Sequence, residues 1–298
     1  MAETKILSQE AHSQLVKRER RANNVWNKLR RNKTAMIGLV IVVFMMAMAI
    51  LAPMIATHDP NAIKPSETYL GFGEKGHIFG TDEFGRDLFS RIVYGARISL
   101  IAAIGGTFVG GIIGILLGLI AGYAGGKTDM IMMRIVDIIY SVPSMLYIVL
   151  IMLWLGAGVT SIMIGISITC WIGMARIVRQ EVKSLKEQEF TMAAYVLGAS
   201  PKRILLKHLL VNAMGPIIVN VTLQVPQAIF TEAWLSFLGV GISAPKASWG
   251  TLCEAARELI QVYPMQTIYP LVAICITIIS FNFVGEGLER ALDPKRKR

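Results

Sequence analysis

Long uncharged apolar runs, separated by short polar segments, dominate the hydrophobic pattern of the chain. Ala35 to Thr57 is 23 residues without a charge, and Ile98 to Gly126, Leu209 to Thr231 and Leu259 to Gly285 are uncharged throughout. Ile138 to Ala175 is a 38-residue uncharged run. About 20 apolar residues cross the hydrocarbon core as a helix. The 38-residue run is therefore too long for one crossing and divides at Gly156-Ala157-Gly158, a strong local breaker. This predicts spans near 138–155 and 159–175, six in all. Only helices and closed barrels satisfy their backbone groups in lipid. Period-2 alternation is absent, so the pattern predicts an all-α membrane protein with six transmembrane helices.

Charge then orients the spans. With the N-terminus in the cytoplasm, the inner segments 1–34, 123–137, 176–208 and 286–298 hold 9, 2, 7 and 5 basic residues, which is 23 of the 30. The outer segments 58–97, 156–158 and 232–266 hold 5, 0 and 2. Positive residues collect on the cytoplasmic side, so both termini are expected inside. The net charge of +10 follows from this bias, and no nucleic-acid partner is expected. Residues 1–34 are a basic cytoplasmic tail. They read equally as an amphipathic helix on the inner leaflet, with Leu15, Val25, Trp26 and Leu29 inward, or as a partly disordered tail. The first apolar run, 35–57, is long enough to be an uncleaved anchor rather than a cleavable leader.

The 58–97 connection is expected outside. Its first half is turn-rich. HIFGTDEFGRDLFSRIVYGARISL then predicts a short interfacial helix, capped by Thr81 or Asp82, with Phe84, Leu88 and Ile92 buried and Arg86, Asp87 and Arg91 facing headgroups or water. Asp82, Glu83 and Asp87 match no calcium-loop spacing and read as caps and local ion pairs. In the second span, Gly106, Gly110, Gly114, Gly118 and Gly122 recur every four residues. Such a small-residue face lets two helices approach closely in lipid, without identifying the partner.

AGYAGGKT at 121–128 loosely fits a phosphate loop, but that motif needs a strand before it. It reads as a tight turn between spans, with Lys127 at the inner interface. Cys170, Cys253 and Cys275 show no metal or disulfide spacing. His12, His58, His77 and His208 lie on different segments, so no metal and no catalytic site is expected.

The longest inner connection, Arg176 to His208, continues the fourth span as a charged helix to Lys186. Glu189 to Leu197 is a short helix ending at Gly198, and Ser200-Pro201 starts another as N-cap and first helical residue. Phe190, Ala193, Ala194 and Leu197 share one face of the short helix. That face is read either as a docking surface or as packed against the ends of the spans.

MAAYVLGASPKRILLKHLLV resembles the "EAA" loop of ABC-importer permeases. Ala193, Ala194, Gly198 and Leu210 match its pattern, while Met192, His208 and Val211 depart from it. RNKTAMIGLVIVVF, GTDEFGRD, GGKTDMIMMRIVDIIYSVPS, TEAWLSFLGVGISAPKASWGTL and FNFVGEGLERALDPK are similar to the C-type permeases of dipeptide and oligopeptide importers, which include nickel importers. The resemblance covers roughly residues 28–298.

The resemblance implies the type I importer permease fold. It divides the chain into the 1–34 tail, the 35–57 span, the 58–97 loop, a 98–286 transmembrane domain whose coupling loop is 176–208, and a 287–298 basic tail. It implies half of a pore in a bacterial or archaeal cytoplasmic membrane, paired with a homologous B-type permease. Two cytoplasmic ABC ATPases would hold ATP and Mg, and an extracytoplasmic binding protein would deliver a peptide substrate. This chain would carry no cofactor and no catalysis. ATPase coupling would fall to Glu189, Phe190, Ala193, Ala194, Leu197 and Gly198. Nickel or another small solute is the alternative cargo. An ion-coupled secondary transporter usually needs ionisable groups inside its spans, whereas Arg134, Asp137, Glu232 and Glu286 fall near predicted ends. The polar residues of span five are Asn212, Asn220, Gln224 and Gln227. They read either as interhelical hydrogen-bonding groups or, for Asn220, Gln224 and Gln227, as the translocation path.

Overall fold

A computed structural model describes residues 25–243 and 245–292. Helix α1 (25–31) leads into α2 (Lys33–Ile50), where the Asn32 side chain accepts from Ala35 N. Two of the inward residues proposed for the tail diverge. Leu29 is buried against Gly287 of the last helix, whereas Trp26 is 47% exposed. Leu15 lies outside the described residues. Helices α3 (Leu88–Ala124), α4 (Gly126–Tyr140), α5 (Ser144–Leu155) and α6 (Val159–Lys186) follow. Then come α7 (Glu189–Val196), α8 (Leu210–Phe237), α9 (Trp249–Ala255) and α10 (Pro264–Leu292).

Five of the described helical segments are long and apolar enough to cross a membrane, and six if the bent pair α4–α5 is one span. The 138–155 expectation is corrected here. It is no single helix: α4 and α5 meet at 81° across residues 141–143. Pro143 is the cause, since it lacks an N–H and drives the residue before it out of the α region. The second break, at 156–158, falls where the glycines place it, and Gly156 takes φ +88°.

The 81–97 segment is also corrected. The helix begins at Leu88, capped by the Asp87 carboxylate accepting from Ser90 N at 2.8 Å, and runs unbroken for 37 residues. That is ~55 Å at 1.5 Å per residue, so it projects beyond a core of about 30 Å. Residues 81–87 form a turn instead. Asp82 Oδ1 accepts from Phe84 N and Arg86 N, both at 2.9 Å, and Phe84 is 45% exposed. Asp87 and Arg91, expected at the headgroups, are buried. Left-handed glycines permit the turn: at Gly85 (φ +70°) a Cβ would lie 1.9 Å from Lys64 O.

The interior is built around α3 packed along α6. The five glycines spaced by four face α6: a Cβ at Gly110 would sit 2.4 Å from Ser167 O, at Gly114 2.6 Å from Trp171 O, and at Gly118 2.7 Å from Ala175 O. At Gly106 it would meet Ile166 Cγ2 at 2.7 Å, and at Gly122 Val182 Cβ at 2.8 Å. The backbones can approach this closely only because no side chain intervenes. Helix α10 closes on α2 in the same way, through Gly38 against Ser280 O and Gly287 against Ala35 Cβ.

The connection after α8 folds back among the helices. Trp249 of α9 is fully buried, and its Nε1–H donates to Ile92 O at 3.1 Å. Ser248 caps α9 and exchanges hydrogen bonds with Thr251. Beneath α9 lies Glu232, placed near a span end by the sequence but fully buried inside α8. Ser236 Oγ donates to it at 2.9 Å, and Ser99 and Ser248 lie beside it. The bond from Ser236 satisfies Oε1, while Oε2 is buried without a partner.

Candidate functional site

The loop between α6 and α8 is built as expected in its backbone and differently in its faces. Gln188 precedes α7 in extended conformation, and Thr191 Oγ donates to Leu185 O at 2.7 Å. Gly198 takes φ +74° and ends the helix, with Ala199 N donating to Ala194 O at 3.0 Å. Ser200 then caps the next turn, accepting from Arg203 N, with Pro201 at its first position. That turn continues as a π-helical segment, Ile204–Leu209, into α8.

Ala194 is not on the outer face. It is 7% exposed and packs in a cluster with Val178, Val182, Ile204 and Leu209. Of the face drawn from the sequence, Ala194 turns inward with Thr191, while Phe190, Ala193 and Leu197 stay exposed, as do Glu189 and Gly198. The exposed apolar surface is completed by residues the sequence reading passed over: Met192 is 60% exposed, Val196 88% and Leu197 85%. Their spacing held a usable signal, since Thr191 and Ala194 are three apart, like one buried helical stripe.

The loop is tied to the helix bundle. Tyr195 OH lies 2.9 Å from Tyr123 OH at the end of α3, and Lys186 Nζ donates to Tyr123 O at 2.8 Å. The Gly125-Gly126 turn beside it joins two helices, with no strand before it. One turn into α4, Asp129 accepts from Arg179 and Lys183 of α6. Arg176 bonds Asp137 at 2.7 Å and stacks over the Tyr140 ring at 4.2 Å. The Asp129 and Arg176 contacts therefore fix α4 against α6, while Tyr195 ties α7 to α3.

A second feature lies between α6 and α8, a cleft of about 200 Å³. Thr169, Cys170 and Gly173 line it from α6, and Gln224, Gln227 and Thr231 from α8. Gln224 Nε2 donates to Asn220 Oδ1 at 2.5 Å, while its Oε1 is buried without a partner. Asn212 donates to His208 O at 2.6 Å. Both bonds lie within the one helical segment.

A third group joins residues the sequence left apart. His58, His77 and Asp87 meet outside α3, the imidazole rings stacked with centroids 4.2 Å apart. Burial opposes ionisation of Asp87, but hydrogen bonds from Ser90 and His77 outweigh it and hold the carboxyl below its ordinary value. Glu67 is likewise lowered, chiefly by its hydrogen bond with Lys64 and then by that with His77. The cysteines are free: Cys170 and Cys253 are buried and Cys275 is exposed.

Comparison with known proteins agrees with this architecture. Residues 114–298 match the family described as binding-protein-dependent transport system inner membrane component. Residues 22–71 match the N-terminal TM domain of oligopeptide transport permease C. The chain is 47% identical to the oligopeptide transport system permease protein OppC of Bacillus subtilis, over 91% of this chain and 88% of that one. It is 42% identical to the dipeptide permease DppC of the same organism, over 92% and 86%. It is 37% identical to the glutathione permease GsiD of Shigella dysenteriae, over 91% and 90%. Among solved structures, a chain of the MetNI methionine ABC transporter in an inward-facing conformation superposes with a TM-score of 0.55. That match, at 20% identity, covers 68% of this chain and 96% of the other, and it supports the fold alone.

Proposed function

The chain belongs to the family of binding-protein-dependent transport system inner membrane components, and on that premise we propose that it is the C-type permease forming half of the translocation path of a di- or oligopeptide importer. The family is one of ABC importer permeases, so the chain is a multi-span membrane component of such a transporter. Its finer assignment rests on three arguments. Peptide cargo is favoured by relatives 47% and 42% identical that are oligopeptide and dipeptide permeases. A cytoplasmic-membrane location with both termini inside follows from the 23 of 30 basic residues on one set of connections. Energy supplied in trans, by two ATPases that hold ATP and Mg, is supported by membership of an ABC importer permease family.

One observation carries the mechanism. The α7 loop offers Phe190, Met192, Val196 and Leu197 to its surroundings while Thr191 and Ala194 anchor it. An apolar cap on a polar connection is an interaction surface. It would seat in an ATPase subunit, so that closure of the ATPases pushes α7. The ties through Tyr123, Asp129 and Arg176 then carry the displacement to α3, α4 and α6. The neutral cleft at Gln224 and Gln227, with Asn220 behind it, would face the B-type partner and contribute amide groups to the path. Neutral donors and acceptors can pass a zwitterionic peptide without the trapping that a fixed charge would cause.

Reconstituted in lipid with the partner permease, ATPases and binding protein, the chain should support uptake of labelled di- or oligopeptide that stops without ATP. Uptake driven by an ion gradient without ATP would contradict the importer mechanism. ATP-driven uptake of nickel but not of peptide would contradict the cargo.

A further inference from the structure

From the group formed by His58, His77 and Asp87 we infer that the connection between α2 and α3 holds a divalent transition-metal ion of the zinc class. The three side chains come from separate parts of one connection, and their ligand atoms lie within 4.8 Å of one another. His77 and Asp87 are each 2% exposed. His58 is the accessible member, with 29% of its side chain exposed, and leaves a route for an ion to enter.

The surrounding hydrogen bonds show how the three ligand atoms are held. Asp87 divides its two oxygens. Oδ2 accepts from Ser90 N at 2.8 Å and from Thr57 Oγ at 3.2 Å, which is the helix cap. Oδ1 faces both imidazoles, 2.8 Å from His77 Nδ1 and 3.8 Å from His58 Nδ1. His77 Nε2 lies 3.3 Å from Glu67 Oε2, a carboxylate held in place by Lys64 at 3.0 Å. When Nε2–H donates to Glu67, the His77 Nδ1 lone pair becomes available to an ion shared with Asp87 Oδ1, in exchange for the direct His77–Asp87 hydrogen bond. A carboxylate fixing the tautomer of a ligating imidazole from behind is the recurrent second layer of protein metal sites.

Two imidazoles and one carboxylate oxygen, with water completing the shell, suit zinc and its neighbours rather than magnesium or calcium, which prefer all-oxygen sites. His58 Nδ1 also lies 3.1 Å from Thr57 Oγ, and metal binding would exchange that contact for the ion. Bound there, the ion would join the end of the α2 connection to the α3 N-terminus and to the 67–77 turn. This inference stands independently of the transport assignment.

The test uses the full chain in lipid nanodiscs with an affinity tag free of histidine. Cobalt(II) titration should give visible ligand-field bands at one ion per chain, and zinc should displace them. Zinc should also raise the melting temperature. His58→Gln, which leaves the His77–Asp87 contact intact, should abolish both effects, and Glu67→Gln should weaken binding about 10- to 100-fold. Absence of bands and of any melting shift in the native chain would overturn the site and leave His77 as a hydrogen-bonded bridge between Asp87 and Glu67. Binding that survives His58→Gln would place the ion elsewhere, at the thiols for example, and would equally overturn it.

Discussion

The glycines of α3 make the sharpest residue-scale forecast. At Gly110 even a methyl group would approach backbone at Ser167 O, whereas at the adjacent Gly111 it would lie 3.6 Å from Val221 Cγ2, an ordinary contact. Gly110→Ala should therefore destabilise the chain by about 1–3 kcal/mol, the usual cost of overpacking. Gly111→Ala should be neutral or slightly stabilising, since alanine is the better helix former by about 1 kcal/mol. Thermal unfolding in nanodiscs compares the two, and equal effects would mean that α6 does not lie against this stripe. The stripe itself was legible as a four-residue period, but its partner was not. A period describes one helix surface, and the groove that receives it is made of ordinary residues such as Ser167 and Ala175. Trp249 shows the opposite limit. Nothing in its local pattern announces a fully buried ring bonded to Ile92 O. Trp249→Ala should cost about 3–5 kcal/mol, again read by thermal unfolding, and a loss under 1 kcal/mol would mean that α9 is not docked on α3.

At the scale of elements, α7 separates two substitutions that the sequence would treat alike. Ala194→Arg forces a long charged side chain into the cluster of Val178, Val182 and Leu209, so it should unfold the loop and lower the stability of the chain. Val196→Arg, on the exposed side, should leave the loop folded. Amide hydrogen exchange over 187–200 checks the difference, with rapid exchange expected in the first variant and native protection in the second. The sequence yielded the start, the glycine stop and the restart of this loop, because Gly198, Ser200 and Pro201 act through local backbone chemistry. It grouped Ala194 with Phe190, Ala193 and Leu197 on one face and left its direction open, because the side turned inward depends on the ends of α6 and α8. The start of α3 was missed for a related reason. Asp82 and Asp87 are both competent caps, and the left-handed Gly85 with its closeness to Lys64 O decides between them. Pro143 was a visible signal for the break in the third span. Absence of charge measures only the length of an apolar run, so it could not show the 81° bend.

The whole molecule was the most legible level. Runs without charge predicted the number of crossings, and these correspond to five long helices plus one broken pair among the described residues. What stayed hidden was depth inside the bundle. Glu232, Arg91 and Asp87 carry charge-bearing side chains yet are buried, each supplied with specific polar neighbours. Composition could not reveal this, since those neighbours come from distant segments. The amides of the cleft between α6 and α8, including the unpartnered Gln224 Oε1, lie on its α8 wall, where the proposed function puts part of the path. Gln224→Leu together with Gln227→Leu should lower peptide uptake by the assembled importer while leaving its ATPase content unchanged. Unaltered uptake would remove the cleft from the path.

The central claim is that this chain works by being pushed at α7 by a separate ATPase. Retention of ATPase subunits on the affinity-purified permease complex, compared between the native chain and Val196→Arg, tests it most directly. The account predicts that the variant inserts and folds normally but loses its ATPase subunits and its peptide uptake together. A Val196→Arg complex that keeps a full complement of ATPase and transports at the native rate would contradict it.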